Sequence, residues 1–232
     1  MANTPRFYFF FYKPFLLLLS FVFFVILTFP TVLFAANGLD LDPAVVARAR
    51  QIGDVVRRGQ ASHLKPPTCF IVHTHEDENQ WSKINYLFHL MGIKTTLDVN
   101  GDCRGLAYGA PIDDFMTGGV RNSNFVLCLL TPNGLARSHD EKSGFATELG
   151  HIHRRIEQEG STNFLLPVLV AGDEHTSVPE VLRGRGLHFF NAINSTTGKF
   201  DLITFCRVMW PLFGERIFIR HPWFSIYIQP LL

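Results

Sequence analysis

Two histidines and two acids crowd one short stretch, His73-Thr74-His75-Glu76-Asp77, inside CFIVHTHEDENQW, which begins at Cys69. Imidazole nitrogens and carboxylates at H-x-H-x-D spacing are what a zinc ion takes as first ligands, and a catalytic zinc needs at least three from the protein. His73, His75 and Asp77 would supply some of them, with His139, His151 and His153 further along the chain. Two features weigh against that chemistry. A site of this spacing generally continues with a His directly after the acid, and position 78 is Glu78. His151 and His153 stand two apart in a helical pattern, so they point to different faces. The other reading of the same residues is the end of a buried strand, with His73 half covered by its neighbours and a charged loop after it.

The elements around this stretch alternate between strand and helix patterns. Cys69 to His73 is a short apolar run, read as a buried strand. Trp81, Ile84, Leu87, Phe88 and Met91 form a helical stripe closed by Gly92. Residues 93–98 read as a second strand, 99–110 as a loop rich in Gly and Asp, and Pro111 as the start of a short helix. NFVLCLL, from Asn124, is a third buried strand, followed by a polar loop over 131–143 and a helix over about 144–159. FLLPVLV, from Phe164, is a fourth strand, which Pro167 demotes toward an edge or bulge. Residues 187–190 read as a fifth strand and 200–213 as a last helix. Continuously apolar strands alternating with helices argue for a parallel sheet covered on both faces. The expectation is an α/β domain with a flavodoxin-like, doubly wound, five-stranded parallel sheet. In such a fold ligands bind outside the carboxyl ends of the strands, near the switch point. The loops that start at His73, Asp98 and Thr131 are therefore where chemistry is expected.

The front of the chain is of another kind. From Phe15 to Ala36 there is no charged residue, and Arg6 and Lys13 precede the run. Residues 1–36 read as a signal peptide or a transmembrane anchor, a hydrophobic helix long enough to cross a bilayer. Cleavage after Ala36 would place Phe34 at the −3 position, and Pro30 would kink a retained helix. Basic residues before the run and Asp40 and Asp42 after it favour an N-terminus in the cytoplasm and a domain outside, membrane-anchored or secreted. Residues 37–67 read as an amphipathic helix and linker. Asp42-Pro43 opens the helix, Val45, Ala49, Ile52 and Val56 form its apolar stripe, and the helix is taken as solvated, between membrane segment and domain. The domain itself spans 68–213, with an aromatic tail over 214–232.

Composition excludes several functions. The formal net charge is +1, so nothing points to nucleic acid. Four widely spaced cysteines without C-x-x-C give zinc ribbons and thioredoxin-type redox sites no support. Cys69 and Cys128 fall in apolar runs, where a buried free thiol is the ordinary reading.

Four segments, in order, resemble a Toll/interleukin-1 receptor (TIR) domain, in its bacterial-type or SEFIR-like version. FIVHTHEDENQW, from Phe70 to Trp81, resembles that family's opening FISYSHED followed by Trp. GIKTTLD, ending at Asp98, resembles its second strand, with 101–109 in the place of its BB loop. SNFVLCLLTPNG, from Ser123, and SGFATELGHI, from Ser143, resemble its third strand and the segment that carries its functional Glu, here Glu148. The Trp-Cys pair that often precedes that Glu is replaced by Gly144-Phe145.

The resemblance implies an activity. Many TIR domains cleave NAD+ at the nicotinamide–ribose bond, giving a nucleosidase or cyclase in defence, cell-death or host-interaction signalling. By resemblance Glu148 is the catalytic carboxylate, since loss of nicotinamide passes through an oxocarbenium-like state that a nearby negative charge stabilises. His73 and Thr74 would line the nicotinamide pocket, Asp98 and Gly105 would border it, and Thr131 would contact it from the third loop. NAD+ enters as substrate, and no metal, cofactor or activated Ser is required. The alternative is a non-catalytic adaptor that assembles with other TIR domains. Partners are then NAD+, other TIR domains and, through the first 36 residues, a membrane.

Overall fold

A computed structural model describes residues 39–60, 67–97 and 111–212. The N-terminal apolar run, Asp98, Gly105 and the C-terminal tail lie outside the described residues. Among the described residues no helix is long and apolar enough to cross a membrane. In chain order the elements are α1 (Pro43–Gln60), β1 (Thr68–Val72), a 3-10 turn (His75–Asp77), α2 (Glu78–Leu90), β2 (Lys94–Thr96), α3 (Ile112–Asn122) and β3 (Phe125–Leu130). They continue with α4 (Pro132–Ser138), α5 (Gly144–Glu159), β4 (Leu165–Leu169), α6 (Glu174–Ser177), a second 3-10 turn (Glu180–Leu182), β5 (Phe190–Asn191) and α7 (Leu202–Leu212).

The apolar runs pair as the sequence leads one to expect. One five-stranded sheet has the order β2-β1-β3-β4-β5, with every neighbouring pair parallel. β1 and β3 are buried almost throughout because helices cover both of their faces. Alternate side chains, Phe70 and Val72 on β1 and Val126, Cys128 and Leu130 on β3, pack with Phe115 and Met116 of α3 and Phe145 and Leu149 of α5. The chain leaves β1 toward β2 in one direction and crosses back to β3 in the other. Right-handed crossovers therefore place α2 on the opposite face from α3 and α5. There Phe88 of α2 meets Phe205 of α7, ring centroids 6.2 Å apart. β1 and β3 are the pair at which the winding reverses, with Val72 paired to Cys128.

Three expectations change. The helix over 43–60 is no solvated linker: Val45, Ala49, Ile52 and Val56 are buried and α1 packs on α2. Its first turn is held by Asp42, whose Oδ1 accepts from Ala44 N–H at 2.7 Å. Residues 131–143 are not all loop, because α4 forms inside them, with Thr131 as N-cap and Pro132 in its first turn. Pro167 sits between neighbours and not at an edge, opposite Cys128. Val170 N–H donates to Leu130 and Ala192 N–H donates to Leu169, so even positions of β4 face β3 and odd positions face β5. The nitrogen of Pro167 therefore faces the β5 side, where pairing starts only at Val168. A missing donor there breaks no ladder bond.

Candidate functional site

A helix joining β3 to a parallel neighbour must start near the carboxyl end of β3, and α5 does so with a defined first residue. Ser143 accepts from Ala146 N–H at 3.0 Å, and Gly160, at φ 60°, ends the helix. Glu148 follows in the second turn and is only 5% exposed. Its negative charge reaches Cys128 on β3: together with burial, which acts more strongly, it pushes that thiol's pKa up. Cys128 is the register partner of Val72, the residue before His73. Cys128 packs with Phe145 and Leu149 of α5, the helix on which Glu148 is buried.

His73 packs toward α2, on the other face of the sheet. It is 8% exposed, and its ring stacks on Trp81 of α2, centroids 4.9 Å apart at 29°. Its Nδ1 lies 3.1 Å from the carbonyl of Thr74, an acceptor only, so in that contact Nδ1 carries the proton. The indole Nε1–H of Trp81 is buried with no hydrogen-bond partner among the described residues.

The two threonines are committed to a third residue. Thr74 Oγ1 donates to Asp77 Oδ2 at 2.5 Å, and Thr131 Oγ1 donates to the same oxygen at 2.7 Å. Asn133 Nδ2 donates to Oδ1 at 3.1 Å. Thr131 is 0% exposed, and its hydroxyl also accepts from Gly134 N–H at 2.9 Å, the cap of α4. It builds the wall of the β3 loop with a hydroxyl engaged on both sides. The local motif offers Asp77 only as a metal ligand; its partner on the third loop lies far along the chain, beyond the reach of that motif. Among the described residues no three His, Cys, Asp or Glu side chains converge as ligands. His75 lies edge-on to His73, ring centroids 6.0 Å apart.

His151 and His153 do part to different faces of α5. His151 is buried against α3, where its Nε2 is 3.1 Å from Asp113 Oδ1 and Arg154 Nη2 donates to its Nδ1 at 2.6 Å. An arginine donor at Nδ1 requires the Nε2–H tautomer, so the imidazole donates to Asp113. This link ties α5, one turn past Glu148, to the first turn of α3. His153 instead contacts Arg185 and, at 3.0 Å, Glu157. A groove of about 600 Å³ lies at that far end of α5, lined by Glu157, Ser161, Thr162 and Arg185 among others.

Residues 69–204 match the family model described as "TIR domain". No curated protein matches the chain. Among solved structures, the crystal structure of a prokaryotic SEFIR domain is similar at 21% identity, over 56% of this chain and 89% of that one, with a TM-score of 0.39.

Proposed function

The chain belongs to the TIR domain family, a family of signalling domains, and we propose that it cleaves NAD+ at the nicotinamide–ribose bond with Glu148 as its catalytic carboxylate. The observation that carries this reading is the position of Glu148. Glu148 is a buried carboxylate on α5, the helix that follows the loop after β3, and ligands of doubly wound domains bind beyond the carboxyl ends of the strands. In a site of low dielectric a fixed negative charge is worth far more than in water, and it costs no reorganisation when positive charge develops on the ribose.

In hydrolysis the C–N bond to nicotinamide breaks and its electron pair leaves with the neutral base. A water oxygen then bonds to the ribose carbon and its proton passes to Glu148 or solvent. In cyclisation a ring nitrogen of the adenine takes the place of water. His73, held on Trp81, and Thr74 would form the wall against the nicotinamide. Asp98 and Gly105 are proposed to border it.

The test is nicotinamide release by the full chain at high protein concentration. Wild type releases nicotinamide, and Glu148→Ala falls by roughly 100-fold or more. Release that persists unchanged in the variant removes Glu148 from its role. No release from either favours the second reading, an adaptor that assembles with other TIR domains. That reading rests on the family match, since domains of this family associate with one another. Residues 1–36 are proposed as signal peptide or membrane anchor, which protease accessibility on intact cells tests.

A further inference from the structure

A buried carboxylate is expensive unless hydrogen bonds compensate it. Asp77 is such a group: it is buried, and among the described residues its oxygens are met by Thr74, Thr131 and Asn133, with no Lys or Arg in an ion pair with it. Asp is a preferred N-cap, and Asp77 stands at the N-cap of α2, yet its side chain does not cap that helix. It reaches instead to the loop after β3. The neighbouring Glu76 makes a second strap on the outside, accepting from Arg137 of α4 at 2.5 Å. One 3-10 turn therefore holds α4 with two acids, one inward and one outward.

We propose that Asp77 is a positioning residue that locks the loop after β1 to the loop after β3 and so fixes the wall of the Glu148 site. The assignment rests on the reading of that site as NAD+-cleaving. Two hydroxyls from different strand ends converge on one oxygen, so neither loop can shift without breaking a buried bond to the other. None of the bonds to Asp77 involves Glu148. Loss of the lock therefore loosens substrate contacts and leaves the catalytic carboxylate in place.

The experiment compares the full chain with Asp77→Ala and Asp77→Asn. In Asp77→Asn the amide oxygen keeps both hydroxyl donors, and Asn133 can turn its own amide to receive the new N–H. Asp77→Ala is expected to raise KM for NAD+ by about tenfold while kcat changes by less than about threefold, and Asp77→Asn to restore most of the loss. Amide hydrogen exchange is read on the same proteins. Residues 73–77 and Gly134 should exchange faster in Asp77→Ala, with α5 unchanged, and recover in Asp77→Asn. If Asp77→Ala does not fold, Asn133→Ala, at a residue outside the proposed pocket, removes one donor to Asp77 and should shift KM in the same direction.

An unchanged KM in an active protein overturns the proposal. So does exchange accelerated equally across the domain, α5 included. If wild type releases no nicotinamide, the Glu148 reading fails by itself and exchange alone decides the lock: local acceleration supports it, and unchanged rates at both loops overturn it.

Discussion

Gly53 of α1 lies directly against the backbone carbonyl of Leu90 at the end of α2: a Cβ on Gly53 would stand 1.9 Å from that oxygen. Neither atom belongs to a flexible side chain, so the helices would have to separate. On an exposed helix Gly→Ala is favourable by about 1 kcal/mol. Here Gly53→Ala is expected to reverse sign and destabilise by about 1–3 kcal/mol, as overpacking does. The urea midpoint of the full chain measures it. An unchanged or raised midpoint would mean that α1 does not pack on α2.

The described thiols should be inert. Burial pushes Cys69 from its ordinary value of 9.0 up to about 12, and Cys206 likewise to about 12. Three units above 9.0 lowers the thiolate fraction at pH 8 by about a thousandfold, and the thiolate is the reactive form. Cys128 is raised as well, by burial and by the charge of Glu148. Site-resolved mass spectrometry after iodoacetamide at pH 8 should find Cys69, Cys128 and Cys206 unlabelled in the native protein and labelled in urea. Rapid native labelling at Cys128 would place it outside the core.

Acid should weaken the outer strap. The Arg137 hydrogen bond holds the Glu76 carboxyl below its ordinary value of 4.5. Its contribution is therefore full above the unfolded value and is lost as pH falls through the folded one. Both side chains are about half exposed, at 42% and 51%, so solvent screens the pair and its contribution is small. Glu76→Gln should lower stability slightly at pH 7 and by less at pH 3. An equal difference at both pH values would show that the charge is not the source.

How much of this was legible depends on whether a signal is local. The bounds of α5 were readable because a capping Ser143 and a left-handed Gly160 flank an apolar stripe. The start of α4 was also written locally, in Thr131-Pro132, but the helix carries too few apolar residues to show a period. Pro167 misled because its effect depends on which neighbour its nitrogen faces, and a single strand does not contain that information. The stripe on α1 was visible, while what it packs on was not. At the site, Glu148 came from resemblance alone. The stacking of His73 on Trp81 and the role of Asp77 come from the fold, which brings the two loops together.

Thr131 offers the most direct test of that convergence, because its one hydroxyl does two things. It accepts from Gly134 N–H, the cap of α4, and donates to Asp77 Oδ2. Thr131→Val keeps shape and β-branching and removes both bonds. Gly134 N–H then loses its cap acceptor, and Asp77 loses one of two hydroxyl donors on the same oxygen. A lost cap costs about 1 kcal/mol and a buried unsatisfied partner about 1–3 kcal/mol, so about 2–4 kcal/mol in total is expected. Thr131→Ser retains the hydroxyl and should recover most of it. The discriminating measurement is a double-mutant cycle with Asp77→Ala, which removes the shared bond, on urea stability. Coupling is expected because the two residues share a bond, whereas strictly additive effects would mean that Thr131 acts only as a cap.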